Sequence, residues 1–328
     1  MDFFDRIQLI TEKFLTHRAK IRQIKREKRK AKNAALDWIE AFLWAASMVL
    51  LLNQYLIQAY RIPSGSMIDT LNIGDHVFVN KIVYGPELLP GFFKLPSMVQ
   101  PKRNDIIIFE NPSYISRGTV FDIAQRIIYM LTLSLVDIDK DETGEPRVHF
   151  LIKRAAGYAG DHLKTEKGEM KIRFAGEDRW VSEREYNKQR TLLQMRSFNH
   201  NITRLINEDQ YPPINASGKV TAWLDRGIQP SQKLFDEASK LNQFADSLAH
   251  GRARLETLRK AAPHDSRYAV LFAKERLGWY VPEGRIFPMG DSRDNSRDGR
   301  YFGPVKLTKV LGKGMVIYWP ARRMGSIK

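Results

Sequence analysis

Three stretches of this chain carry side chains whose types and spacing could perform acyl transfer. The first is Pro63-Ser64-Gly65-Ser66-Met67, where two hydroxyls flank a glycine. Serine is a weak nucleophile until a neighbour takes its proton, so Ser66 needs a base elsewhere in the fold. Histidine is the usual base, and seven are present. His17 lies in a basic run, while His76, His149, His162, His200, His250 and His264 have no local pattern around them and read as surface or packing residues. Neither serine fits the Gly-x-Ser-x-Gly turn that presents a histidine-activated nucleophile. Lysine can replace histidine where burial among apolar groups lowers its pKa towards the working pH. Lys153 is the best placed, ending the β-type run 148–153 beside Leu151 and Ile152, with Ala155 and Ala156 following. Most lysines at strand ends point into water, so composition alone leaves its role open.

The third stretch, Gly290 to Gly303, alternates Asp, Arg and Ser. Its Asp294-x-Ser296-x-Asp298-Gly299 resembles the start of a calcium loop, but Val305 stands where the bidentate acid is needed, so a metal reading fails. What remains is a loop able to aim an amine with a hydroxyl and to brace itself with ion pairs.

These residues need a scaffold, and the surrounding sequence supplies one. Residues 76–83, 106–109, 148–153, 170–174 and 315–319 have strand length and β-branched or aromatic content, which implies one sheet-built domain closed by the C-terminal part of the chain. Between them the texture changes. Ser182-x-x-Glu185 is a capping-box pattern, and Leu234, Ala238, Leu241, Ala245 and Leu248 form an apolar stripe at helical spacing that stops at Gly251. The stripe reads as packing, and residues 165–280 as an inserted, partly helical subdomain. A run from Ile127 to Val136 is about half the length of a spanning helix, and is expected to be a buried element or a membrane-surface contact.

Ahead of the serines, Trp38 to Ile57 is apolar enough to cross a bilayer, for which about 20 residues suffice. An extended chain from Ile57 to Ser66 reaches no more than roughly 30 Å, so chemistry at Ser66 happens close to the membrane. Residues 1–35 hold eleven Lys or Arg against four Asp or Glu, a net charge of +7 within the +16 of the whole chain. Placed directly before the span, that charge reads as a cytoplasmic flank and not as a nucleic-acid arm. Phe3, Ile7, Ile10 and Phe14 suggest an interfacial amphipathic helix before it. A cleavable leader is the competing reading, but the apolar core is too long and no small-x-small pattern follows before Arg61. The absence of cysteine excludes a disulfide framework, a thiolate nucleophile and a zinc-thiolate site.

Taken together, Pro63–Met67 with Leu71, Gly74 and Asp75, then Lys153-Arg154 with Gly157 and Gly160-Asp161, then Gly290-Asp291-x-Arg293-Asp-Asn-Ser296-x-Asp298, resemble the signature blocks of type I signal peptidases of the Ser/Lys class. The blocks stand in order behind the anchor, and the resemblance covers roughly residues 38–161 and 280–320.

The resemblance implies a mainly β catalytic domain of antiparallel sheets behind an N-terminal transmembrane helix; the inserted, partly helical subdomain departs from the family, whose insert is mostly β-ribbon. The segments would be a basic cytoplasmic stretch at 1–35, the span at 36–59, the catalytic domain at 60–164 and 281–328, and the insert at 165–280. Ser66 would be the nucleophile and Lys153 the general base. Ser64 hydroxyl and Ser66 N–H would form the oxyanion hole, and Ser296 would position the lysine. Arg154 with Asp291, and Asp298 with Arg300, would be structural ion pairs. Tyr60, Ile62, Met67, Leu71 and Ile152 would line pockets for small side chains at the first and third places before the cut. No cofactor or metal is implied. The implied partners are exported preproteins, the lipid bilayer and the secretion translocon, with no nucleic acid, at the bacterial cytoplasmic membrane in a single-pass topology with the N-terminus inside. Departures from the pattern are Asp69 in place of a frequent proline, Asn104 in place of a usual glycine, and Ala159 in place of a common proline.

Two other readings compete. A self-cleaving Ser/Lys regulator would need a soluble DNA-binding domain where this chain has an apolar span. A membrane-anchored binding protein with a decayed site would not need all of Ser64, Ser66, Lys153 and Ser296.

Overall fold

The computed structural model describes residues 11–24, 34–68, 70–88, 94–97, 99–166, 169–186, 208–241 and 246–327. Asp69, Ala245, His200 and most of the basic run lie outside the described residues. Two compact units divide the chain, residues 1–51 and 52–328. In the first, residues 11–24 form helix α1 and Ala34–Leu51 form α2. The helical path continues through a π-helical turn at Leu52–Leu56, and the stretch Leu36–Leu56 is long and apolar enough to cross a membrane, only 6% of it being buried. Ile57 to Ala59, expected within the span, instead open strand β1 (Ile57–Arg61). Gln58, Ala59 and Tyr60 are buried there and pair with β2 (His76–Asn80).

The second unit is built on antiparallel sheets. Its strands are β1, β2, β3 (Ile106–Glu110), β4 (Phe150–Gly157), β5 (His162–Glu166), β6 (Glu169–Arg173), β7 (Val181–Ser182), β8 (Trp279–Tyr280), β9 (Arg285–Met289), β10 (Val305–Lys306), β11 (Val310–Trp319) and β12 (Gly325–Ser326). Eight form one sheet, in the order β1-β2-β11-β3-β4-β9-β10 with β12 added to β11, and the other four form β7-β6-β5-β8. The unbroken apolar run Ile106–Phe109 is explained by burial on both faces. Ile106 and Ile108 join a core with Met67, Leu71 and Val77, while Ile107 and Phe109 join one with Tyr84, Ala155 and Ile286. A third core, from Leu163 and Ile172 to Phe287 and Met289, ties the small sheet to β9.

Two local expectations change. Lys153 lies inside β4, not at a strand end, because Arg154 and Ala155 continue the strand against Met289 and Pro288 of β9. The predicted 76–83 strand stops at Asn80, whose side-chain oxygen accepts from Ile82 N at 2.9 Å and starts a 3-10 turn.

The helices fill the connections. They are α3 (Thr119–Leu131), a helical turn at 183–186 (α4), α5 (Tyr211–Leu224), α6 (Gln232–Ala238), α7 (Ser247–Ala261), α8 (Ser266–Leu277) and the short α9 (Gly299–Phe302). Ser182 Oγ accepts from Glu185 N at 3.1 Å, which starts α4 as the capping pattern predicts. The 234–248 stripe is not one helix. Asp246 caps a new one by accepting from Leu248 N and Ala249 N, and α7 runs past Gly251 to Ala261. Ile127–Leu131 forms the last turn of α3, and the run then turns out of helical geometry.

Candidate active site

The serine block is shaped by backbone constraints on both sides. β1 ends at Arg61, Pro63 follows two residues later, and the chain is held in a closed loop by Ile62 N to Asp75 O (2.8 Å) and Gly74 N to Ile62 O (2.9 Å). Within that loop Gly65–Met67 makes one 3-10 turn, with Ser66 buried at 7% exposure. β4 reaches the same point from the other side of the chain. Lys153 Nζ lies 2.6 Å from Ser66 Oγ and donates to its own neighbour's carbonyl, Ile152 O, at 2.9 Å. The remaining side-chain partner of Ser66 among the described residues is Ser64, with 3.5 Å between the hydroxyls, so no histidine contacts it.

Burial lowers the Lys153 pKa to about 8, against the pull of the Asp298 and Asp291 carboxylates. A fraction of the amine is therefore neutral near physiological pH, with its lone pair free to accept a hydroxyl proton. Both carboxylates stay ionised. Burial alone would raise them, but Arg154 holds Asp291 down, and Arg300 with the Gly290 N–H and Ser296 hydroxyl holds Asp298 down.

The Asp-Arg-Ser loop packs against the Ser66 backbone and does not line the cleft in front of it. Arg154 grips Asp291 through two hydrogen bonds of 2.8 and 2.6 Å, and Arg300 grips Asp298 through two of 2.9 and 3.0 Å. Ser296 Oγ donates to Asp298 Oδ2 at 2.8 Å and is not hydrogen-bonded to Lys153. Its relation to the site runs through Gly290, where a Cβ would collide with Ser296 and stand 2.6 Å from the Ser66 carbonyl oxygen. That carbonyl also accepts from Ser292 N at 3.1 Å.

A cleft of about 280 Å³ opens in front of the two side chains. Tyr60, Ile62, Met67 and Ile152 line it with Ser64, Ser66 and Lys153, while Tyr129, Leu135 and His149 form another part of its wall. Leu71 is not among its lining. It is fully buried in the core with Met67, its N–H bonded to Met67 O.

A family model described as signal peptidase, peptidase S26, matches residues 35–319. The chain belongs to that family. It is similar along most of its length to proteins named signal peptidase I. That of Buchnera aphidicola subsp. Acyrthosiphon pisum is 26% identical over 332 residues, covering 97% of this chain and 90% of the relative. That of Pseudomonas aeruginosa is 25% identical over 304 residues, covering 89% and 76%. That of Aquifex aeolicus is 26% identical over 286 residues, covering 87% and 84%.

Several residues that shape the site of this S26 peptidase escaped the sequence reading. Thr70 Oγ1 donates to Asp291 Oδ2 at 2.6 Å and accepts from Arg154 at 3.2 Å, tying the serine loop to the ion pair. Glu183, which shares a buried ion pair with Arg293, anchors the final loop to the start of α4. Neither carries a motif. Thr70 could have been singled out only by its place four residues after Ser66 on a loop that must pack. Asn104, noted as a departure, has φ +71°, a left-handed conformation that glycine adopts freely and asparagine tolerates better than other residues. Its carbonyl accepts from Arg154 Nη1 at 2.9 Å.

Proposed function

We propose that this S26 peptidase is a membrane-bound endopeptidase that removes signal peptides from exported preproteins through an acyl-enzyme formed on Ser66. The contact of 2.6 Å between Lys153 Nζ and Ser66 Oγ, with the lysine only 3% exposed, carries this reading. Neutral Lys153 takes the hydroxyl proton as Ser66 Oγ bonds to the scissile carbonyl carbon. The tetrahedral oxyanion is received by Ser66 N–H and Ser64 hydroxyl, donors worth a few kcal/mol each. Lysine then returns the proton to the leaving amine as the C–N bond breaks. In the second half, water attacks the ester with Lys153 again taking a proton, and Ser66 leaves with that proton restored.

Asp298, Ser296 and Gly290 support this chemistry as positioning groups behind the lysine and the serine. The apolar, shallow wall made by Ile62, Met67 and Ile152 suits small side chains at the first and third places before the cut, because larger ones are excluded sterically. The apolar Leu36–Leu56 stretch and the basic run before it support a single retained anchor with the N-terminus in the bacterial cytoplasm. The site would then work on the outer side, on preproteins delivered by the translocon.

The decisive experiment is cleavage of a preprotein by the purified chain in proteoliposomes. Ser66→Ala and Lys153→Ala should each lower the rate on the order of 10³-fold or more while the circular dichroism spectrum is kept. Wild-type rates in either folded variant would remove the mechanism.

A further inference from the structure

The connection between β3 and β4 is turned inside out for a water-facing element. From Ala124 to Ile138 the exposed residues are Ala124, Ile127, Leu131, Leu133, Leu135, Val136 and Ile138, and every one is apolar. The polar side chains point inward. Gln125 is 2% exposed and donates to Asp137 at 2.8 Å. Arg126 reaches Glu87 at 3.1 Å and Glu110 at 3.4 Å, with its guanidinium 5.1 Å from the Phe150 ring centroid. A helix on a soluble surface has the opposite polarity, with its apolar stripe packed and its charges in water. On α3 the outward stripe is Val120, Ala124, Ile127 and Leu131, at helical spacing, with Val120 84% exposed.

The turn that follows is strained in the same direction. Leu133 and Ser134 both have positive φ, +49° and +67°, a left-handed conformation that is strained outside glycine. Ser134 is buried, whereas Leu133 and Leu135 on either side of it are 44% and 72% exposed. A strained turn that displays leucines is at odds with water as its solvent.

The position of α3 says which apolar phase it meets. Glu87, the residue that holds Arg126, also accepts at its carbonyl from Gln54 Nε2 at 2.8 Å, and Tyr55 OH donates to the next carbonyl, Leu88 O, at 2.9 Å. Gln54 and Tyr55 are in the last turn of the apolar Leu36–Leu56 stretch, within the second unit. The inside-out helix is thus fastened to the residue that receives the end of the apolar helix. No charged residue is exposed between Ala124 and Ile138, and the exposed charges nearest in sequence, Arg117 and Lys140 to Glu142, stand outside the ridge at its two ends.

We propose that the outward face of α3 and the Leu133–Ile138 turn lies in the membrane interface, with lipid as its occupant. The inference rests on the anchored reading above. Leu135 also lines the cleft, so the same turn joins the lipid-facing ridge to the site.

The cysteine-free chain allows a direct test. Single cysteines replacing Leu131, Val136, Phe42 and Val270, in the full-length protein, are labelled with an environment-sensitive fluorophore and reconstituted in phosphatidylcholine–phosphatidylglycerol vesicles. Phe42 reports on the apolar helix, and Val270, 67% exposed on α8, on an apolar side chain outside the ridge. Quenching by lipid-borne nitroxides is expected at Leu131→Cys and Val136→Cys about threefold above that at Val270→Cys, and comparable with that at Phe42→Cys. If Leu131 and Val136 behave like Val270 while Phe42 is quenched, the ridge is not in lipid and the anchor stands. Failure of quenching at Phe42 removes the anchor and the ridge proposal with it. Shielding of Leu131 and Val136 from both the lipid quencher and aqueous iodide would show a protein occupant instead, a second copy or a substrate segment, and would equally overturn the proposal.

Discussion

A lysine acts as a base only in the fraction of molecules whose amine is neutral. Below a pKa of about 8 for Lys153, kcat/KM for preprotein cleavage should fall about tenfold per pH unit, and a flat profile between pH 6 and 9 would contradict a lysine base. The same burial has a sign for stability. The folded amine titrates near 8 and the unfolded one near 10.5, so between these values the unfolded chain binds more protons and stability rises with pH. Below about 8 both states are protonated and the full penalty of a buried ammonium is present. Lys153→Met should therefore raise Tm by a few degrees at pH 7 and reduce the gain in Tm between pH 8 and 10, even as it abolishes cleavage. An unchanged or lower Tm at pH 7 would mean that the charged amine is better solvated than its burial implies. Thr70→Val leaves the buried Asp291 short of a donor, a loss of about 1–3 kcal/mol that thermal unfolding would register, with a smaller effect on the pH profile.

At the scale of elements, what matters is how closely separate loops approach. Gly290→Ala forces a methyl into the Ser296 hydroxyl and the Ser66 carbonyl, and should cut kcat on the order of 10²-fold with little change in KM. Equal activity of this variant would show that the final loop does not set the serine's position. At Asn104 the left-handed backbone predicts that Asn104→Gly is neutral within experimental error, and Asn104→Val is destabilised by about 1–2 kcal/mol in thermal unfolding. Elements also mark the limit of what could be read in advance. Ser66, Lys153 and the loop from Gly290 stood out through their resemblance to the signature blocks of a family, whereas Glu183 is one of 37 acids and becomes notable only once register brings it to Arg293. The stripe from Leu234 to Leu248 misled for a different reason. Apolar spacing reports a face, and a well-placed Asp246 can restart the helix without disturbing that face. The run from Ile127 to Val136 stayed open between a buried element and a membrane-surface contact for the same reason, since a period of hydrophobicity does not say whether its apolar side turns to protein or away from it.

At the scale of the whole chain, the two compact units meet in sequence at Leu51 and Leu52. A fragment starting at residue 52 should keep the circular dichroism of the β unit and cleave a soluble peptide. On the anchored reading, alkaline carbonate should release this fragment from membranes and leave the full chain in them. A fragment that fails to fold would show that the apolar helix is needed for the core and not for anchorage alone.

The ion pair of Arg154 and Asp291 spans 137 residues of sequence, and the Thr70 hydroxyl that completes it lies 221 residues before Asp291. Synthesis proceeds from the N-terminus, so Ser66 and Lys153 are both laid down long before the loop that packs behind them. A nascent chain halted before Arg285 carries both reactive groups but lacks the carboxylates, Gly290 and the last strands of the sheet. On the proposed mechanism, catalytic competence thus arrives only with the last 44 of the 328 residues. On the anchored reading proposed above, a half-translocated copy would stay inert at a membrane crowded with its own kind of substrate.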